Sequence, residues 1–262
     1  MRTFTTIRTL GVLAVGGAFL LAAGPAVAGP PGGAKPMSYT CSGGKIPSGD
    51  YARITVTGFC SVAEDAVITV VGNIDVAAGA MLDAQSAPSA IMVGRNVTGA
   101  EGSIVGLGCQ PEVPGNTAHP CASDPENGTS DIAVGGNISL TGAMLAYLNG
   151  VAVGGNISIY GGGDSQTPWS IKNNDVAGNI TVNGTSTGWI GVMWNHVGRN
   201  VSLSDMTVVD DHPGAWTAVF VVQNDVGWNL NCHNLVPGVA GGFTGIPNVV
   251  GHQATGQCVD VV

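Results

Sequence analysis

The stretch Val134-Gly135-Gly136-Asn137-Ile138-Ser139 returns nineteen residues later as Val153-Gly154-Gly155-Asn156-Ile157-Ser158. A phrase copied at near-constant spacing restricts the fold strongly, because every copy must take an equivalent place in an array. Aligned on the asparagine, it recurs at Asn73, Asn96, Asn137, Asn156, Asn179, Asn200 and Asn229, and Gln253 fills the eighth place. The steps are 23, 41, 19, 23, 21, 29 and 24 residues. The 41 reads as two coils, one of them carrying a loop between Cys109 and Cys121. The 29 reads as one coil with an insertion of about eight residues. A second register, Asn174, Asn195, Asn224 and Asn248, runs five residues ahead of the last four motif positions.

Between these turns lie short runs of β-forming residues, and no 3.6-residue period is sustained beyond the N-terminus. Short strands, glycine-rich turns and a period near 21 predict an all-β chain, a single-stranded parallel β-helix of about eight or nine coils. Left-handed β-helices carry hexapeptide repeats that are missing here, so the right-handed form is expected. Equivalent residues of neighbouring coils sit about 4.8 Å apart, so the motif asparagines are expected to stack as a side-chain amide ladder. The glycines beside them are expected to supply the positive φ of a tight corner. Asn96, Asn137, Asn156, Asn179 and Asn200, with Asn127 and Asn183, also match the glycosylation sequon. Five of these seven coincide with the ladder, so the repeat accounts for the pattern.

The first 28 residues read as an export signal. Arg2 and Arg8 precede the apolar run Leu10–Ala23, and Ala26-Val27-Ala28 suits cleavage between Ala28 and Gly29. Fourteen apolar residues are too few for a membrane span. A secreted, extracellular chain with no transmembrane segment after cleavage is therefore expected. Residues 29–40 read as a Pro/Gly-rich linker and 41–262 as the β-helix domain, with caps at 41–65 and 230–262. Losing the two arginines moves the formal charge from −9 to −11, which argues against a nucleic-acid partner. The six cysteines, an even number in an exported chain, favour disulfides. Neighbour pairing, Cys41–Cys60, Cys109–Cys121 and Cys232–Cys258, is the simplest of fifteen arrangements.

The opening CSGGKIPSGDY…VTGFC, the iterated Gly-Asn coils and the ending LNCHN…NVVGHQATGQC carry a resemblance. The chain resembles a family of secreted β-helical proteins of high-GC Gram-positive bacteria, over most of residues 41–258. The framing cysteines Cys41, Cys60, Cys232 and Cys258 are its most specific features, and the loop around Cys109 and Cys121 departs from it. The resemblance implies fold and export and no particular activity.

Candidate chemistry is sparse. Asp210-Asp211-His212 could serve as general acid and base on a glycosidic bond if a turn brought the side chains together; a solvated acidic loop is the plainer reading. Asn173, Asp175, Asp210, Asp211, Gly251 and His252 hold fragments of the polygalacturonase constellation, but the spacing is wrong and no Arg-x-Lys follows. Asp175, His196 and Asp225 hold the same place in three successive coils and are expected to stack, as an ion row or a weak metal site. Trp169, Trp189, Trp216 and Phe243 are expected to form an aromatic column, in the core or as a sugar-stacking face. The copies that deviate beside the asparagine, Arg95, Arg199 and Trp228, mark an edge to inspect. These features favour a non-enzymatic surface scaffold or glycan-binding protein, monomeric and without a cofactor. A polysaccharide-active enzyme using Asp210, Asp211 and His212 is the alternative.

Overall fold

The computed structural model describes residues 35–112, 119–164, 166–209, 217–241 and 245–262. Among them the chain is all-β, with short strands and a single 3₁₀ helix, Gln257–Val261. Neighbouring strands run parallel in both of its sheets. In the nine-stranded sheet, strands follow chain order from Gly44–Ile46 to Val239–Ala240. The nineteen-stranded sheet holds the strands that start just after each motif asparagine and the short strands just before it.

Alternation explains the strands. Successive side chains of a strand point to opposite faces, so Ile-x-Ile or Val-x-Leu buries one set and exposes the other. Ile138, Ile157, Ile180, Val201 and Leu230 stand in register on adjacent strands, and all five are buried. Leu140, Ile159, Val182, Leu203 and Cys232 form the next buried row. The nine-stranded sheet faces them with Leu107, Leu148, Ile171, Val192 and Val221. These rows join one continuous core.

A second asparagine row locks the corner that follows the nine-stranded sheet. Asn174, Asn195 and Asn224 are each 1% exposed and Asn248 is 4% exposed. The amide nitrogen of each donates to the carboxamide oxygen of the next, 174 to 195, 195 to 224 and 224 to 248, all at 2.9 Å. Each nitrogen also donates to a main-chain carbonyl, of Leu148, Ile171, Val192 and Val221 in turn. The residue before each of the first three, Asn173, Trp194 and Gln223, has a left-handed backbone with φ of 50–55°. That reversal aims the following asparagine into the core, where only a residue that both donates and accepts can remain buried without cost.

Three expectations change. Asn137 donates directly to Asn96, so the step of 41 is one repeat with a long insertion, residues 109–131, and not two coils. The motif glycines are absent from the positive-φ set. They are small because the previous repeat passes too close: a Cβ on Gly94, Gly154 or Gly198 would lie 2.6 Å from a carbonyl oxygen of Val71, Gly135 or Ala177. Residues 37–40 of the segment read as a linker belong to the strand Met37–Cys41, which pairs with Gly49–Val56.

Cys41–Cys60, Cys109–Cys121 and Cys232–Cys258 are bonded. The first and last lie at the two ends of the sheets, and Cys258 sits on the 3₁₀ helix.

Candidate functional site

The outward side of the strands after the motif presents three parallel rows. In the first, Asn137, Asn156, Asn179 and Asn200 each donate main-chain N–H and side-chain Nδ2 to the Oδ1 of the preceding asparagine. The distances run from 2.8 to 3.4 Å. Asn96 and Asn229 extend the row through their main-chain N–H, to Asn73 and Asn200. Gln253 pairs in register with Asn229.

Two residues further on runs a hydroxyl row, Thr98, Ser139, Ser158, Thr181 and Ser202, continued by Asn231 and Thr255. Thr98 donates to Asp75 and Thr255 to Asn231, both at 2.7 Å. The hydroxyls of Ser139, Ser158, Thr181 and Ser202 have no protein partner among the described residues, and all four residues are half-buried. The third row, Thr141, Tyr160, Asn183 and Ser204, includes an exposed Tyr160. From Asn96 to Asn231 the three rows carry no Asp, Glu, Lys or Arg. The only charges nearby in the first two rows, Arg53 and Asp75, neutralise each other in an ion pair. The three rows themselves are a regularly spaced array of hydroxyls and amides without charge, bordered by the Asp205 carboxylate, which accepts from Asn183 at 3.1 Å, and by Arg95 and Arg199.

At the other end of the short strands, Asp175, His196 and Asp225 are neighbours in register. His196 Nδ1 lies 3.2 Å from Asp225 Oδ2, on an exposed surface. No group of three metal-binding side chains exists among the described residues, so the trio forms a pair and a neighbour, not a three-ligand set. Asp175 and His196 also border a shallow hollow of about 330 Å³ with Asn173 and Trp194. Along the motif edge Arg95 and Arg199 are exposed, and Trp228, 59% exposed, stacks on His252 with ring centroids 6.1 Å apart.

No family model, curated protein or solved structure matches the chain. Its chemistry is therefore read from the side chains alone.

Asp210, Asp211 and His212 lie outside the described residues, as do Trp216 and Phe243. Trp169 and Trp189 do not share a column. Trp169 pairs with Ile190 while Trp189 pairs with Pro168, and a one-residue offset sends the two rings to opposite faces. Trp169 is wholly buried and donates to the Met144 carbonyl. The Trp189 ring lies on the outer face of the nine-stranded sheet, stacked on Phe220 at 5.5 Å.

Lys172 shares that outer face, which sequence reading had not marked. Its Nζ lies 5.1 Å from the centre of the Trp189 ring and 3.3 Å from Gln110 Oε1. Burial lowers its pKa from the ordinary 10.5, because desolvation disfavours the charged form. The unfolded chain then holds a proton that the folded chain has given up, so stability rises with pH on approach to the ordinary lysine value. Tyr51 and Tyr147 are raised, chiefly by burial. Their contribution is lost only as pH climbs past the ordinary tyrosine value. Lys172→Met is expected to be as stable as the parent, or more so, at neutral pH and to lack the rise in stability on approach to the ordinary lysine value. Urea unfolding from neutral pH towards that value checks it; an unchanged slope counts against a desolvated Lys172.

Proposed function

We propose that this chain is a secreted, right-handed parallel β-helix of nine coils, a non-enzymatic scaffold that holds an extended neutral polysaccharide on its ladder face. The observation that supports this reading is the row of unpartnered hydroxyls at Ser139, Ser158, Thr181 and Ser202, set beside the amide row. A neutral glycan offers hydroxyl donors and acceptors with no charge, and the face offers the complementary set. The array is held by the strands themselves, so little ordering entropy is lost on binding. A repeating ligand on a repeating surface gains further from many weak contacts made together. The exposed ring of Tyr160 at the border suits stacking on a sugar face.

Export fits the disulfides, which form and persist in oxidising compartments. No helix among the described residues is long and apolar enough to cross a membrane. Residues 1–28 serve in this reading as the signal, and the ends closed by Cys41–Cys60 and Cys232–Cys258 protect the sheet edges.

Adsorption to insoluble cellulose, chitin and β-1,3-glucan tests the proposal. The protein is expected to bind at least one of them, and Ser158→Lys/Thr181→Lys to weaken that binding roughly tenfold or more, since two ammonium groups meet no acceptor of opposite charge. Undiminished adsorption by the double variant overturns it. Release of soluble sugar, abolished by Asp210→Ala/Asp211→Ala, replaces the scaffold by the enzyme reading.

A further inference from the structure

The long insertion builds a second feature. Residues 109–112 and 119–131, clamped by Cys109–Cys121, stand against the turn at 84–90 and the start of the strand Ala66–Val70. Between them lies a cleft of about 920 Å³, within the roughly 300–1,000 Å³ typical of small-ligand sites.

Its formal charge is one-sided. Asp65, Glu112 and Asp131 line it with carboxylates, and no Lys or Arg lines it. None of the three carboxylates accepts a hydrogen bond or joins an ion pair among the described residues. Gln85, only 8% exposed, also lines the cleft. Its Nε2 donates to the Leu107 carbonyl, and its Oε1 accepts nothing among the described residues. The Ser89 hydroxyl on the same wall is buried without a partner. The Ser89 hydroxyl costs stability as a buried orphan, whereas Gln85 Oε1 is not sealed in and stays open to a donor from the cleft.

We infer that this cleft binds an amine-bearing sugar, a short oligosaccharide with free protonated amino groups. A primary ammonium brings three donors and no acceptor, and its bonds to carboxylates are charge-assisted and short. Sugar hydroxyls donate to Gln85 Oε1 and meet the ring of His119, which also lines the cleft. The remaining wall is largely alanine and proline, apolar surface suited to the C–H face of a pyranose. The ladder rows, on another part of the chain, play no part in this recognition.

Isothermal titration of the intact protein tests the inference with three probes: glucosamine trimer, N-acetylglucosamine trimer and spermidine. The glucosamine trimer is expected to bind at least about tenfold more tightly than either of the others. Asp65→Asn/Asp131→Asn is expected to weaken it tenfold or more at an unchanged unfolding midpoint, both residues being exposed. Ser158→Lys/Thr181→Lys is expected to leave it intact, which separates this site from the ladder face. Equal affinity for the acetylated trimer, spermidine binding as tightly as the sugar, no binding of the glucosamine trimer, or full binding by the Asp65/Asp131 variant each overturns the inference.

Discussion

Asn195→Ala is expected to lower the unfolding free energy by roughly 2–5 kcal/mol, one of the largest effects of any single polar substitution in this chain. Asn195 Oδ1 accepts both the main-chain N–H of Asn174, at 3.1 Å, and its Nδ2, at 2.9 Å. Asn195 Nδ2 donates to the Ile171 carbonyl and to Asn224 Oδ1, each at 2.9 Å. Alanine removes all four bonds in a place where water cannot replace them, and each orphaned buried group costs about 1–3 kcal/mol. The comparison is Asn229→Ala in the outward row. Asn229 is half-buried, its link to Asn200 runs through its main-chain N–H, and alanine keeps that bond. A loss below about 1 kcal/mol is expected there. Urea unfolding of both variants decides the matter; equal losses would show that burial of the inner row is not what makes it costly.

Removing the C-terminal disulfide by Cys232→Ser/Cys258→Ser is expected to cost about 3–4 kcal/mol. The bond closes a separation of 26 residues, and constraining a loop of that length in the unfolded chain has about this value. For a chain of this size the loss corresponds to a fall in Tm of roughly 7–14 °C. Structure adds a second cost. The 3₁₀ helix Gln257–Val261 buries Cys258, and the Val261 carbonyl accepts a bond of 2.7 Å from Asn248 Nδ2. Releasing the helix therefore opens the end of the inner asparagine row, and Asn248 followed by Asn224 should lose hydrogen-exchange protection first. Thermal unfolding with and without reductant, and exchange at those two amides, test the expectation. A Tm within 2 °C or so of the parent would mean that the helix stays docked without its bond.

Much of the fold was legible because parallel stacking writes the same constraint into the chain at every repeat. The spacing of Asn137, Asn156, Asn179 and Asn200 marked residues that lie one above the other, and alternation marked their apolar neighbours as core. Cysteines pair with their sequence neighbours because each pair closes a local feature, an end or an insertion. The insertion itself was harder to place. Residues 109–131 carry no repeat, so a spacing of 41 suggested an extra coil until the Asn96–Asn137 bonds excluded it. The only hint was the close pair Cys109 and Cys121, which a regular coil has no need of. The cleft beneath it joins Asp65, Gln85 and Asp131, and no periodicity links such positions.

The two asparagine rows show where sequence stops and tertiary structure begins. Spacing alone established that both rows stack, since any residue repeated once per strand must meet its copies about 4.8 Å away. It could not say which row is sealed in the core and which faces outward. That choice depends on the left-handed residues Asn173, Trp194 and Gln223, an asparagine, a tryptophan and a glutamine that share no side-chain signature. Their φ is imposed by the sheets on either side, which must be joined through a sharp corner, and the reversal turns the next side chain inward. The parity of Trp169 and Trp189 was settled in the same way, by a single-residue offset in register that fixes which face each ring occupies. Sequence by itself determined the repeat and the strands; neighbour pairing of the cysteines was one of fifteen arrangements until the structure joined them. Burial, and with it the outward rows of hydroxyls and amides and the carboxylate-lined cleft, was decided only when the corners and the insertion took their places.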